Sequence, residues 1–130
     1  DVLEHIEHDL AEVHEAARRL RPGGHLIVLA PAMQALFSPF DEAVGHYRRY
    51  ERHDAVRLQV PGLTLLHCRY LDVLGASLNF MNRLVLQRAE PAESQILFWD
   101  RFVVPLSRLI DPIVPSTFGR SILMIWKKAD

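Results

Sequence analysis

The chain has one cysteine in 130 residues, Cys68, so it can form no internal disulfide. Cys68 lies in the strand-like run Leu65-Leu66-His67-Cys68-Arg69-Tyr70 and reads as a small packed hydrophobe rather than a nucleophile. A reducing, cytoplasmic location fits that cysteine usage. Long apolar runs are also missing. The most apolar stretches, Val73 to Met81 and Phe102 to Val114, are broken by Asn79, Arg108 and Asp111, well short of the ~20 residues a bilayer crossing needs. The first residues are acidic and lack an apolar core, so no secretory leader is expected. Neither sign of charge is in excess. Fifteen Lys and Arg stand against 16 Asp and Glu for a formal net charge of -1, which argues against a nucleic-acid surface. Glycine is scarce at 6 residues, and there is no internal repeat or low-complexity tract.

What is present is the composition of a globular domain, 49% hydrophobic and 24% charged, and the length suits one domain over 1–130. Ile6, Leu10, Val13, Ala17 and Leu20 recur at helical spacing, with Glu7, Asp9, Glu12 and Glu15 toward the start and Arg18, Arg19 and Arg21 at the end. That charge order complements a helix dipole and predicts a helix from Glu7 to Leu20, stopped by Pro22. His25 to Ala30 is a nearly continuous apolar run, as in a strand covered on both faces. Ala32 to Glu51 has weak periodicity and reads as a long loop with one helical turn over the sheet's carboxyl edge, where ligands bind in open α/β sheets. A short helix over His53 to Val60, a strand over Leu63 to Tyr70 and a last strand over Ser121 to Lys127 complete a core of 1–71 and 121–130. Between them, 72–120 reads as a helical insertion. Val73 to Arg88 forms one helix, and Trp99, Phe102, Val103, Leu106, Leu109 and Ile110 trace the stripe of another, bent at Pro105. The stripe fits core against the sheet better than a lid over an apolar acceptor. Arg83, Arg88, Arg101 and Arg108 beside it also suit peripheral contact with an anionic membrane.

The run DVLEHIEHD, with LRPGGHLIVLAP a helix later and GHYRRY at Gly45 to Tyr50, resembles the second half of class I S-adenosylmethionine-dependent methyltransferases of the small-molecule type. The resemblance spans nearly the whole chain. It implies the carboxyl-terminal part of a Rossmann-like α/β sheet of about three strands, with the final strand antiparallel and inserted between the other two. His25 to Ala30 is then an edge where a further strand would lie, which predicts self-association. The family's glycine-rich loop and the acidic residue for the ribose hydroxyls are not found here, so this chain alone is expected to hold the cofactor poorly. The implied activity is methyl transfer to a small-molecule acceptor; the alternative is a non-catalytic, truncated or pseudo-enzyme interaction module.

By the resemblance, Asp1 and Val2 lie beside the methionine part of S-adenosylmethionine, and Glu4 and His5 at the mouth of the acceptor pocket. Glu4, His5 and His46 suit removal of a proton from an oxygen or nitrogen nucleophile. The bland reading is that Asp1 and Glu4 favour the positive end of the following helix and that His5 packs there. Tyr47, Arg48, Arg49 and Tyr50 beside His46 form a polar and aromatic cluster suited to an anionic or planar acceptor. The alternative is a solvated loop whose arginines pair with Asp41, Glu42 and Glu51. Seven histidines raise the question of a metal at His5, His8 and His14, but no Cys or HExxH pattern completes that set and none is expected.

Overall fold

The computed structural model describes residues 1–73, 97–98, 101–102, 105–106, 109 and 117–130, in which helices and strands alternate around one sheet. A 3-10 turn, Leu3–His5, leads into helix α1, Asp9–Arg19, and then strand β1, His25–Pro31. A second 3-10 turn over Gln34–Leu36 is followed by helix α2 (Pro39–Ala43), helix α3 (Arg52–Arg57), strand β2 (Leu63–Leu71) and strand β3 (Ser121–Lys128). The strand order is β1-β3-β2 with β3 antiparallel to both neighbours, so β1 and β2 run parallel to each other on either side of it. The three strands and the reversed, inserted last strand are as expected.

Helix α1 buries Val13 and Ala17. Leu10, expected on the same stripe, is 40% exposed, while Asp9, one turn before Val13, is buried. The core-facing row is thus Asp9, Val13 and Ala17 at four-residue spacing, with a carboxylate in its first place. The helix ends before the turn at Arg21 to Gly24, where Gly24 donates its N–H to the Arg21 carbonyl at 2.9 Å and Gly23 takes φ +70°. Lys128, at the end of β3, donates from Nζ to the Ala17 and Leu20 carbonyls at 2.8 Å each. A cation there satisfies carbonyls that the helix leaves open and meets its negative end.

The register sets Leu26, Val28 and Ala30 of β1 opposite Trp126, Met124 and Ile122 of β3. Ala30, Ile122, Met124 and Trp126 are fully buried on that face, with Val13, Ala55 and Leu58 in the same cluster. The Trp126 indole donates to the Ala55 carbonyl at 3.3 Å and so ties β3 to α3. Alternate residues of β1 point the other way, and Ile27 is 63% exposed. The expectation of cover on both faces of β1 is therefore corrected: among the described residues it is covered on one. A continuous apolar run does not reveal which faces find cover. A cleft of about 210 Å³ lies along β1, lined by Asp1, Val2, Val13, Leu26 and Leu29 among others. At its mouth the Asp1 backbone nitrogen lies 2.8 Å from the Leu29 carbonyl oxygen.

The two insertion helices fall outside the described residues except at scattered positions. There Phe102, Leu106 and Leu109 of the expected stripe are exposed, so these three side chains are not core against the sheet as expected, and Leu97 and Phe98 beside them are exposed as well. No helix among the described residues is long and apolar enough to cross a membrane.

The return into β3 passes Gly119, which is buried against Leu71 at the end of β2. A Cβ there would run into the Leu71 backbone, which cannot swing aside as a flexible side chain would. Gly119→Ala is expected to destabilise the fold by about 1–3 kcal/mol, read as a lowered denaturant midpoint with an unchanged slope.

Candidate functional site

The site forms where two segments distant in sequence meet beyond the carboxyl end of β1. The Tyr50 N–H donates to the Pro31 carbonyl at 2.8 Å and the Met33 N–H to the Tyr50 carbonyl at 3.1 Å, which makes a parallel bridge between Ala32 and Tyr50. From the other side the Tyr47 N–H donates to the Glu4 carbonyl at 2.8 Å. The buried Tyr50 hydroxyl donates to the Leu3 carbonyl at 3.0 Å and lies 3.2 Å from Asp9 Oδ2. The loop from Gly45 to Tyr50 is thereby fixed against the turn Leu3–His5.

Two buried carboxylates hold this arrangement. Asp9 accepts Arg57 Nη1 at 3.0 Å on Oδ1 and Nη2 at 2.7 Å on Oδ2, and Arg48 Nη1 lies 2.8 Å from Oδ2. Asp41 accepts Arg49 Nε and Nη2 at 3.0 Å each, and Ser38 N–H and Oγ at 2.9 Å each. His46 Nδ1 stands 2.9 Å from Asp41 Oδ1. Burial alone would raise the Asp9 carboxyl, but the hydrogen bonds from Arg57 and Arg48 outweigh it and hold the group at about 2. Asp41 is likewise lowered, its burial outweighed by bonds from Arg49, His46 and Ser38. Burial, then the neighbouring Asp9 charge, pushes the Tyr50 phenol up.

These contacts revise the roles expected for the GHYRRY segment. Arg49 and Tyr50 are buried, with Arg49 committed to Asp41 and Tyr50 to Leu3 and Asp9, so neither is placed to bind an acceptor. Arg48 is engaged by Asp9 and also donates from Nη2 to the Glu7 carbonyl at 2.8 Å. Of the four residues expected to bind substrate, Tyr47 alone is exposed, with the Arg48 guanidinium 6.0 Å from its ring centroid. The loop alternative is met in one detail, the pairing of Arg49 with Asp41; Arg48 pairs with Asp9 instead of Glu42 or Glu51.

Glu4, His5 and His46, expected to act on protons, are brought together. Their potential ligand atoms all lie within 4.8 Å of one another, and the two imidazole rings meet edge to face at 4.6 Å between centroids. Glu4 is 1% exposed, and its Oε2 has no hydrogen-bond partner, the one such buried side-chain atom among the described residues. His5 is exposed, with Nδ1 3.2 Å from the Gly45 carbonyl. Gly45 takes φ +82°, a left-handed conformation that a side chain would strain. An ionised Asp41 can only accept, so it takes the Nδ1 proton of His46; in the neutral form of that ring the lone pair is on Nε2. Asp1 and Val2 are exposed beside the edge of β1.

Asp9 and Asp41 were not singled out as site residues from the sequence. Asp9 had a signal, its place four residues before Val13 on the apolar row. Asp41 had another, its place three residues after Ser38-Pro39 at a helix start. No family model matches the chain, and no curated protein matches it.

Since Asp9 falls from an ordinary 3.8 to about 2 in the fold, its contribution is complete above about pH 4 and is lost as pH falls toward 2. That contribution is about 2 kcal/mol at neutral pH. Denaturant midpoints measured from pH 7 down to pH 2 should fall steeply below pH 4, and Asp9→Asn should flatten that limb while lowering stability at pH 7. An unchanged acid limb in the variant would show that Asp9 is not the group responsible.

Proposed function

We propose that this chain supplies the acceptor side of a class I S-adenosylmethionine-dependent methyltransferase for a small molecule, with the cofactor held mainly by residues outside it. The observation that carries the reading is the position of Glu4, His5 and His46 at the carboxyl end of β1, in a sheet whose reversed last strand lies between two parallel ones. The DVLEHI, RPGG and GHYRRY segments, which carry the resemblance, support the same assignment.

The described residues do not by themselves fit S-adenosylmethionine. Gly23 and Gly24 form a turn at the amino end of β1, away from the site, and Gly24 packs on Arg21 backbone rather than facing a space for the ribose or the amino-acid part of the cofactor. Asp1 and Val2 offer one exposed carboxylate and one apolar contact. The chain's own part is to position an acceptor and take its proton. His46 Nε2, oriented through Asp41, and the buried Glu4 carboxylate are the groups suited to that, and Tyr47 offers an exposed aromatic contact at the rim.

Titration of the protein in its full natural length with S-adenosylhomocysteine tests the reading. Saturable binding near micromolar Kd, about -8 kcal/mol, is expected, and no heat at millimolar ligand would overturn it. In the same protein His46→Ala should lower methyl transfer to its acceptor by about 10²-fold or more with S-adenosylhomocysteine affinity unchanged; unaltered kinetics would remove His46 from the site.

A second, non-catalytic reading rests on β1. Its outer edge pairs with no strand among the described residues, and Ile27 and Leu29 are exposed beside it. Such an edge is a template for another chain. Sedimentation of the 130-residue chain should then show concentration-dependent association that Ile27→Lys suppresses. A monomer at every concentration would count against an interaction module of this kind.

A further inference from the structure

We propose that Glu4, His5 and His46 form a binding site for one divalent first-row transition-metal ion of the Zn²⁺ class. Three donor atoms lying within 4.8 Å of one another share a point no more than 4.8/√3 ≈ 2.8 Å from each. Zinc bonds to imidazole nitrogen and carboxylate oxygen at about 2.0–2.2 Å, so small rotations of the two rings close the site without moving the backbone. Two imidazoles and one carboxylate are a donor set for zinc or ferrous iron, whereas magnesium and calcium favour oxygen alone.

An independent observation points to a cation. Glu4 is 1% exposed and its Oε2 has no partner, in a protein whose other buried carboxylates, Asp9, Asp41 and Asp54, accept hydrogen bonds. A buried oxygen left bare costs free energy, and an ion beside it removes the cost. The outer contacts are also those of metal-bound histidines. Asp41 takes Nδ1 of His46 and the Gly45 carbonyl faces Nδ1 of His5, which leaves Nε2 of each ring available to a shared ligand. Asp41 is itself fixed by two bonds from Arg49. Exposed His5 gives the ion a way in from solvent, and three protein ligands leave a tetrahedral position open for water or an acceptor oxygen.

The ion would use the same three side chains as the proton-removal reading and would take the place of that role while bound, since a metal-bound Nε2 accepts no proton; the test therefore reads ion binding and not turnover. The chelator-treated 130-residue chain is titrated with Zn²⁺ by calorimetry and with Co²⁺ by visible absorption. One ion per chain is expected, with proton release, a raised Tm and the intense d–d bands of a four-coordinate site. Glu4→Gln, His5→Ala and His46→Ala should each weaken Zn²⁺ by at least about tenfold, and Asp41→Asn, acting through His46, by about 10–100-fold. His8→Ala with His14→Ala should leave affinity unchanged. Because Glu4→Gln and Asp41→Asn touch buried residues, the exposed His5→Ala decides the matter if those variants fail to fold. No binding at millimolar Zn²⁺, or an affinity that His5→Ala leaves intact or His8→Ala with His14→Ala abolishes, would overturn the proposal.

Discussion

Two buried carboxylates organise the region around the candidate site. Asp9 and Asp41 are almost completely excluded from water, and each is balanced by arginine: Asp9 by Arg48 and Arg57, Asp41 by Arg49. Desolvating a charge costs several kcal/mol, and the cost is offset only when geometry and remaining hydrogen bonds are good. Both conditions hold, since Arg57 and Arg49 each place two N–H groups on their carboxylate. Asp9 gathers the start of α1, the loop at Arg48 and helix α3, while Asp41 gathers α2 and the same loop. The loop over the sheet's carboxyl end therefore owes its shape to charge pairing more than to apolar burial.

The consequence for the candidate site is a chain of dependence. Arg49 fixes Asp41, Asp41 fixes the ring of His46, and His46 meets His5 over Glu4. Within GHYRRY, His46 and Arg49 turn to Asp41, Arg48 and Tyr50 turn to Asp9, and Tyr47 faces solvent. A segment whose composition suggests anion recognition is largely consumed in supporting one histidine. The arginine fork is real, but its carboxylates come from the protein itself.

The parts legible in the sequence are those set by local pattern. Apolar period and charge order located α1, the three strands and the turn at Pro22, each within about two residues. The reversed place of β3 came from resemblance, since no local period encodes strand order. Asp9 carried a signal in its spacing to Val13, but a stripe read from apolar residues alone passes over a charged residue at a core-facing position. Its partners Arg48 and Arg57 are long-range neighbours that only the fold supplies. The open face of β1 was illegible for a related reason: Ile27 and Leu29 are as apolar as the residues beside them, and cover depends on what packs from elsewhere.

Glu4 ties the loop to the turn and reaches the candidate site. Its backbone carbonyl receives Tyr47, which joins the loop to the turn Leu3–His5, while its side chain is carried inward away from water. A carboxylate exposed on that turn would have served the helix dipole and nothing more. Buried, with one oxygen unpartnered and a donor atom of each of two imidazoles within 4.8 Å of its carboxylate, it retains a capacity to accept that the surrounding fold does not use. The proton of an acceptor and a divalent cation would satisfy that oxygen in different ways. A proton needs one basic atom correctly aimed, whereas an ion needs all three donors at once. The concurrence of Glu4 with both histidines, each with its Nδ1 facing a carboxylate or carbonyl oxygen, exceeds what proton removal alone requires and is what a shared ion would require.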